Sequence, residues 1–239
     1  MSEPEVTGRV ETLIRALKDP HVSVVWNATR DLARLGPAAK AALPALAETL
    51  RGYDPTSRLW ARYAIAKITG ETKKHLPVFI EALADKKSLF PGMASAALAG
   101  FGPEAREAIP LLIAELQESN PEYRWSAAGA LANIGPEAHA AVPALTAALE
   151  DGDEKVRWYA AWALGEIGAA SRSAIPALIA ALDDIDDDVR GYAAQALGNI
   201  GGTEAQAAIP ALLRLRDDEN ENLRTIATTA LVQMGASVG

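Results

Sequence analysis

Apolar residues recur along this chain in two alternating stripes. In Ala140–Arg172, AVPALTAALEDGDEKVRWYAAWALGEIGAASRS, an apolar residue precedes Pro143 and others follow at Leu145 and Leu149. That is helical spacing with proline in the first turn, where its missing N–H would have no helical partner anyway. An acidic turn comes next. Val156, Ala160, Ala163, Leu164 and Ile167 then form a second stripe at 3.6-residue spacing, closed by Gly168, where a left-handed helix end is easily adopted by glycine. The pattern predicts two helices, A and B, joined by a short polar turn.

The same pattern returns every 33 residues. Pro44, Pro77, Pro110, Pro143 and Pro176 fall in step, and Pro210 follows after one extra residue that the Gly201-Gly202 pair supplies. Stepping back from Pro44 reaches Glu11, which opens another amphipathic segment. A second column holds Gly36, Thr69, Gly102, Gly135, Gly168, Gly201 and, after the same slip, Gly235. Seven units result, at approximately 8–40, 41–73, 74–106, 107–139, 140–172, 173–206 and 207–239, making 1–239 one repeat domain. A fixed period of this length is the mark of a solenoid, whose core is buried between neighbouring units and whose function sits on an extended surface.

Asp153 to Gly168 and Asp186 to Gly201 both follow D-x-x-V-R-x-x-A-A-x-A-L-G-x-I-G. This pattern resembles HEAT-like repeats, the short kind first described in phycobilisome lyases, and the resemblance covers nearly the whole chain. It implies an all-α fold, a right-handed superhelix (α-solenoid) of antiparallel helix pairs with the B helices lining the concave side.

Several columns read as structural. Ala28, Ala61, Ala94, Ala127, Ala160, Ala193 and Ala227 form one, and Leu32, Ile65, Leu98, Leu131, Leu164, Leu197 and Leu231 another; both are core by periodicity. An arginine column, Arg58, Arg124, Arg157, Arg190 and Arg224, is expected to bridge to acids of the turns, with Val25 and Pro91 interrupting it.

The opposite side of helix B carries the candidate chemistry. Trp158, Trp162 and Glu166 fall on successive turns away from the core stripe, with Tyr159 at its border. The same columns hold Trp26, Trp60, Tyr63, Trp125, Asn133 and Tyr192 in other units. These four columns cover 28 of 239 positions yet contain all five tryptophans, a density expected of a recognition surface. The competing expectation is that the rings stack across repeats and stiffen the face. Gly92, Ala96, Gly100 and Gly129 occupy the same region with small residues. They predict the floor of a concave pocket, walled by Trp60, Tyr63, Trp125, Trp158 and Trp162, with Asn133 and Glu166 as polar contacts. Aromatic walls beside a carboxylate favour a cationic guest, so a basic or aromatic peptide segment is the expected partner.

Composition narrows the alternatives. The chain has 23 Lys and Arg against 31 Asp and Glu, a net charge of −8, and phosphate binding depends on cationic side chains, so no nucleic-acid partner is expected. The acidic runs at 151–154, 183–188 and 217–221 read as solvated turns, with steering of a basic partner as the second possibility. There is no cysteine, no signal-peptide core at the N-terminus and no apolar run near 18 residues; these features predict a soluble, cytoplasmic protein with no membrane partner. His21, His75 and His139 stand at different places in the unit and none precedes Glu, so neither a metal site nor the iron-binding His-Glu pairs of HEAT-like deoxyhypusine hydroxylases are expected. The aromatics without a basic face also speak against the HEAT-like alkylpurine DNA glycosylases. No catalytic residue and no cofactor are assigned. The expected function is an interaction scaffold; the alternative is a small-molecule-binding or bilin-lyase-like enzyme that uses the same pocket.

Overall fold

The computed structural model describes residues 2–52, 54–85 and 92–236. Pro91, one expected break in the arginine column, lies outside the described residues. The chain divides into two compact units, Met1–Ala97 and Leu98–Gly239. Both are built from helix pairs: α1 (Glu3–Ala16) and α2 (Val22–Leu35), α3 (Leu43–Thr49) and α4 (Pro55–Thr69), α5 (Thr72–Ala84) and α6 (Met93–Phe101). The pairing continues with α7 (Ile109–Glu115) and α8 (Pro121–Ile134), α9 (Val142–Ala148) and α10 (Glu154–Ile167), α11 (Ile175–Ala181) and α12 (Asp187–Ile200). A four-residue helix, α13 (Gly202–Ala205), leads into α14 (Ile209–Arg216), which pairs with α15 (Glu221–Gln233). The described residues contain no strand, and the architecture is an all-α repeat solenoid. No described helix is long and apolar enough to cross a membrane.

Five of the B helices, α4, α8, α10, α12 and α15, start where the sequence supplies an acceptor for free N–H groups. Asp54, Asn120, Asp153, Asp186 and Asn220 each accept a hydrogen bond from the first turn of the helix that follows. The ends are set by glycine, but not in the left-handed helical form the sequence suggested. Gly135 and Gly168 combine φ of 72° and 70° with ψ of −139° and −136°, a conformation accessible essentially to glycine alone. The chain then enters a tight 3-10 segment, such as Gly135–Ala141 or Gly168–Ala174, which delivers the proline to the first turn of helix A. Where Thr69 replaces glycine, Gly70 takes over one residue later with φ 74° and ψ 9°. The 3-10 lead is absent there, and α5 runs continuously with Pro77 inside it.

The alanine column is buried throughout, as are Leu32, Leu98, Leu131, Leu164, Leu197 and Leu231. Within the second unit the B helices pack backbone against backbone. A methyl group built on Gly165 would lie 2.9 Å from Ala196 Cα, and one on Gly198 would lie 3.1 Å from Ala230 Cα. Glycine at these positions is what lets α10, α12 and α15 approach so closely.

The turns are fastened by the arginine column. Arg124 Nε and Nη2 donate to Asp151 Oδ2 and Oδ1, both at 2.7 Å, and Arg157 makes the same fork to Asp184 at 2.8 and 2.9 Å. Nη1 of each arginine also donates to a carbonyl six residues upstream, that of Glu118 or Asp151. Arg190 reaches Asp218 at 3.7 Å and Asp187 at 2.6 Å. Asp151 and Asp184 are therefore not solvated turn residues: each also accepts the N–H two residues on. Burial works to raise their pKa, but the arginine hydrogen bonds, those backbone N–H groups and the neighbouring positive charges outweigh it. Both carboxyls end below the ordinary carboxylate value.

Candidate recognition surface

In the second unit the aromatic columns form one continuous row. Trp125 on α8 stacks on Tyr159 of α10 with ring centroids 5.6 Å apart and planes 19° apart. Tyr159 stacks on Trp158 at 3.7 Å, and Trp158 on Tyr192 of α12 at 5.1 Å and 17°. Trp162 leans on Tyr159 at 5.9 Å and 52°. All five rings are partly buried, none fully. The stacking expected as the competing reading is thus real, and it has a chemical consequence. Inside the row each ring face is occupied by the next ring, so the interior presents edges, and free π-faces can occur only at the ends. Tyr159 has its hydroxyl pKa raised by burial and further by Tyr192.

The polar residues of the expected pocket are partly engaged. Trp162 Nε1 donates to Glu166 Oε1 at 3.2 Å, and Asn133 Nδ2 donates to the Gly129 carbonyl at 2.9 Å; both acceptor and donor side chains, Glu166 and Asn133, remain exposed. Gly129 is a correction to the expected floor. It is buried, and a methyl group on it would meet Tyr159 Cε1 at 3.0 Å and Cδ1 at 3.2 Å. The missing side chain makes room for the protein's own tyrosine, not for a guest. Gly100 of this unit is partly buried.

A recess the sequence reading missed lies at the Tyr192 end of the row. It has a volume of about 150 Å3 and is lined by Asp187, Asp188, Gly191, Tyr192, Gln195, Asn222 and Ile226. Gly191 was legible as a gap in the Trp158 column; the acids beside it read as solvated turn and gave no sign of facing a cleft.

The first unit holds a separate aromatic group. Trp26 and Trp60 lie 6.1 Å apart at 57°, Tyr63 meets Trp60 edge-on at 5.5 Å, and Phe79, not foreseen, meets Tyr63 edge-on at 6.5 Å. Trp60, expected as a pocket wall, is only 6% exposed and belongs mainly to the core. The Trp26 face has an occupant, the Arg30 guanidinium, 5.0 Å from its centroid. Val22, Ser23, Trp26, Thr56, Trp60 and Met93 line an apolar cavity of about 410 Å3. Gly92 is buried and Ala96 exposed. The walls and floor expected to make one pocket therefore fall into two sets, Trp60, Tyr63, Gly92 and Ala96 in the first unit and the rest in the second. Among the described residues no three His, Asp or Glu side chains gather as a metal-binding group.

Solved structures of similar fold include engineered proteins. One engineered protein is 25% identical, with a TM-score of 0.62 over 95% of this chain and 68% of that one. A second is 26% identical, with a TM-score of 0.60 over 95% and 96%. A designed armadillo repeat protein, in complex with the peptide (KR)4, is 22% identical with a TM-score of 0.61 over 93% and 98%. No curated protein sequence is significantly similar. The sequence model for HEAT repeats matches residues 76–151 and 142–232, more than half of the chain, and with the helix pairs, glycine ends and arginine column described above it places this chain in the HEAT-repeat family.

Proposed function

We propose that this HEAT-repeat protein is a binding scaffold that takes a basic peptide segment on the B-helix face of its second unit. The carrying observation is the row Trp125, Tyr159, Trp158 and Tyr192, four partly exposed rings in register across three helices, with Glu166 and Asp188 exposed beside it. A pre-stacked row costs little entropy to dock against, because its rings are already fixed. Indole and phenol edges offer apolar contact for aliphatic stems, and the carboxylates attract the cationic ends. The chain's net charge of −8 works in the same direction at longer range. The designed armadillo relative with its (KR)4 peptide shares the fold; the reading here rests on this chain's own residues.

The test is intrinsic tryptophan fluorescence titrated with an octapeptide of alternating lysine and arginine. A saturable change is expected for the wild type, and Trp158→Ala with Trp162→Ala should weaken it by tenfold or more, as a central aromatic anchor worth roughly 2 kcal/mol requires. An unchanged affinity, with helical content preserved by circular dichroism, removes the proposal.

A further inference from the structure

The recess beside Tyr192 lies one repeat beyond Trp158, where the aromatic row ends. Trp158 fills the space between Tyr159 and Tyr192. Stepping 33 residues replaces Trp158 by Gly191, whose corresponding neighbours are Tyr192 and Ile226, and the recess of about 150 Å3 opens there. Its floor is closed, since a methyl group on Gly191 would meet Ile226 Cδ1 at 3.3 Å and Leu223 Cδ2 at 3.4 Å. Drug-sized ligands occupy pockets of roughly 300–1,000 Å3, so a space of this size suits a single side-chain head group.

We infer that this recess is a guanidinium subsite, which seats one arginine side chain of the bound peptide between Tyr192 and Ile226. The inference rests on the peptide reading above and names one of its contacts. A planar cation stacks on a tyrosine face where a second ring would otherwise lie, and its N–H fork can meet Gln195 and Asn222 at the rim. The charge balance singles out one residue. Asp187 is already engaged, accepting from Arg190 Nη2 and from Asn220 Nδ2, both at 2.6 Å. Arg190 neutralises it, which leaves the exposed Asp188 to supply the net negative charge. A round ammonium would take the charge but forgo the stacking, so arginine is preferred over lysine.

The experiment uses the full chain and two kinds of probe. Arginine amide alone, followed by NMR, should shift the Asn222 side-chain amide resonance, and neutral citrulline amide, which has nearly the same shape, should not. The octapeptide of alternating lysine and arginine should bind about tenfold more tightly than its citrulline counterpart, as expected for cation–π and charge contacts together. Asp188→Asn, an exposed change that leaves folding intact, should reduce that difference. Gly191→Ala, which narrows the recess, should weaken the arginine peptide more than the citrulline one. If the peptide binds and depends on Trp158 while Asp188→Asn and citrulline change nothing, the subsite is wrong and the scaffold reading stands. If the peptide fails to bind but arginine amide shifts Asn222, the recess takes a guanidinium, but the scaffold reading falls and the peptide subsite falls with it. Silence from both probes overturns the two together.

Discussion

The guanidinium of Arg157 lies across the next turn, against the carboxylate of Asp184, 27 residues on, and both side chains are nearly withdrawn from water, 14% and 13% exposed. The fork joins two successive repeats at their turns, beside the packed pair α10 and α12, and so acts as a clamp between those turns. Removing one partner strands the other with its hydration lost. Arg157→Ala is therefore expected to lower unfolding stability by about 3 kcal/mol, measured by urea denaturation. Arg157→Met with Asp184→Asn should cost much less than the sum of the single changes, because neither leaves a charge behind. Additive costs would mean that the pair contributes no coupling.

Acid should act through the same clamps. The Asp151 and Asp184 carboxyls sit below the ordinary carboxylate value in the folded chain, so as pH falls the unfolded chain binds protons first. Their contribution is complete above about 3.8, the unperturbed value, and is lost as pH drops through the lower folded value. Melting followed by circular dichroism between pH 6 and 3 should show this loss in the wild type and a shallower one in Asp151→Asn with Asp184→Asn. Parallel curves would assign acid sensitivity to other groups.

A different window belongs to His75. On α5 it is 7% exposed, and neither ring nitrogen has a hydrogen-bond partner among the described residues. Burial foremost, then the positive charges of Arg62 and Lys74, lower its pKa, with Glu71 opposing. The unfolded chain therefore takes up this proton near 6.5 while the folded one resists, so stability falls as pH drops below that value. His75→Phe should flatten the change in melting temperature between pH 7 and 5. The slope persisting in the variant would clear His75 of the effect.

How far the sequence disclosed this follows from what a repeat can encode. The helix pairs, the buried Ala and Leu columns and the Arg–Asp bridges were legible because the same side-chain types return every 33 residues, and periodicity averages away local noise. The 3-10 leads were not: Gly36–Ala42 and its counterparts are short, alanine-rich segments whose composition is compatible with the first turn of an ordinary helix. Columns also cannot say which side of a ring is covered. Trp60 and Trp158 stand in adjacent columns, yet Trp60 is core and Trp158 a partly buried rung, because Tyr63 and Trp26 close over one while Tyr159 and Tyr192 flank the other. For the same reason a glycine looked like vacant space at both 129 and 191. Only the three-dimensional neighbours show that Tyr159 fills the first, and that Ile226 and Leu223 pack against the second while a recess opens beside it.

Glycine also gives the sharpest test of the packing, because two helical glycines should respond to alanine with opposite signs. Gly8, within α1, has nothing within 4 Å of where a methyl group would stand. Alanine there gains helix propensity without a clash, so Gly8→Ala should stabilise the chain by about 0.5–1 kcal/mol. Gly165 within α10 gains the same propensity, but its new methyl would meet the backbone of α12 at Ala196 Cα, 2.9 Å away. Backbone cannot rotate aside as a side chain can. The two helices must separate, and their shared core loosens with them, at a cost of about 1–3 kcal/mol, more than the propensity returns. Thermal melts of the two variants should therefore move in opposite directions, Gly8→Ala upward and Gly165→Ala downward. A rise for both would mean that the close approach of α10 and α12 is not what fixes glycine at this position.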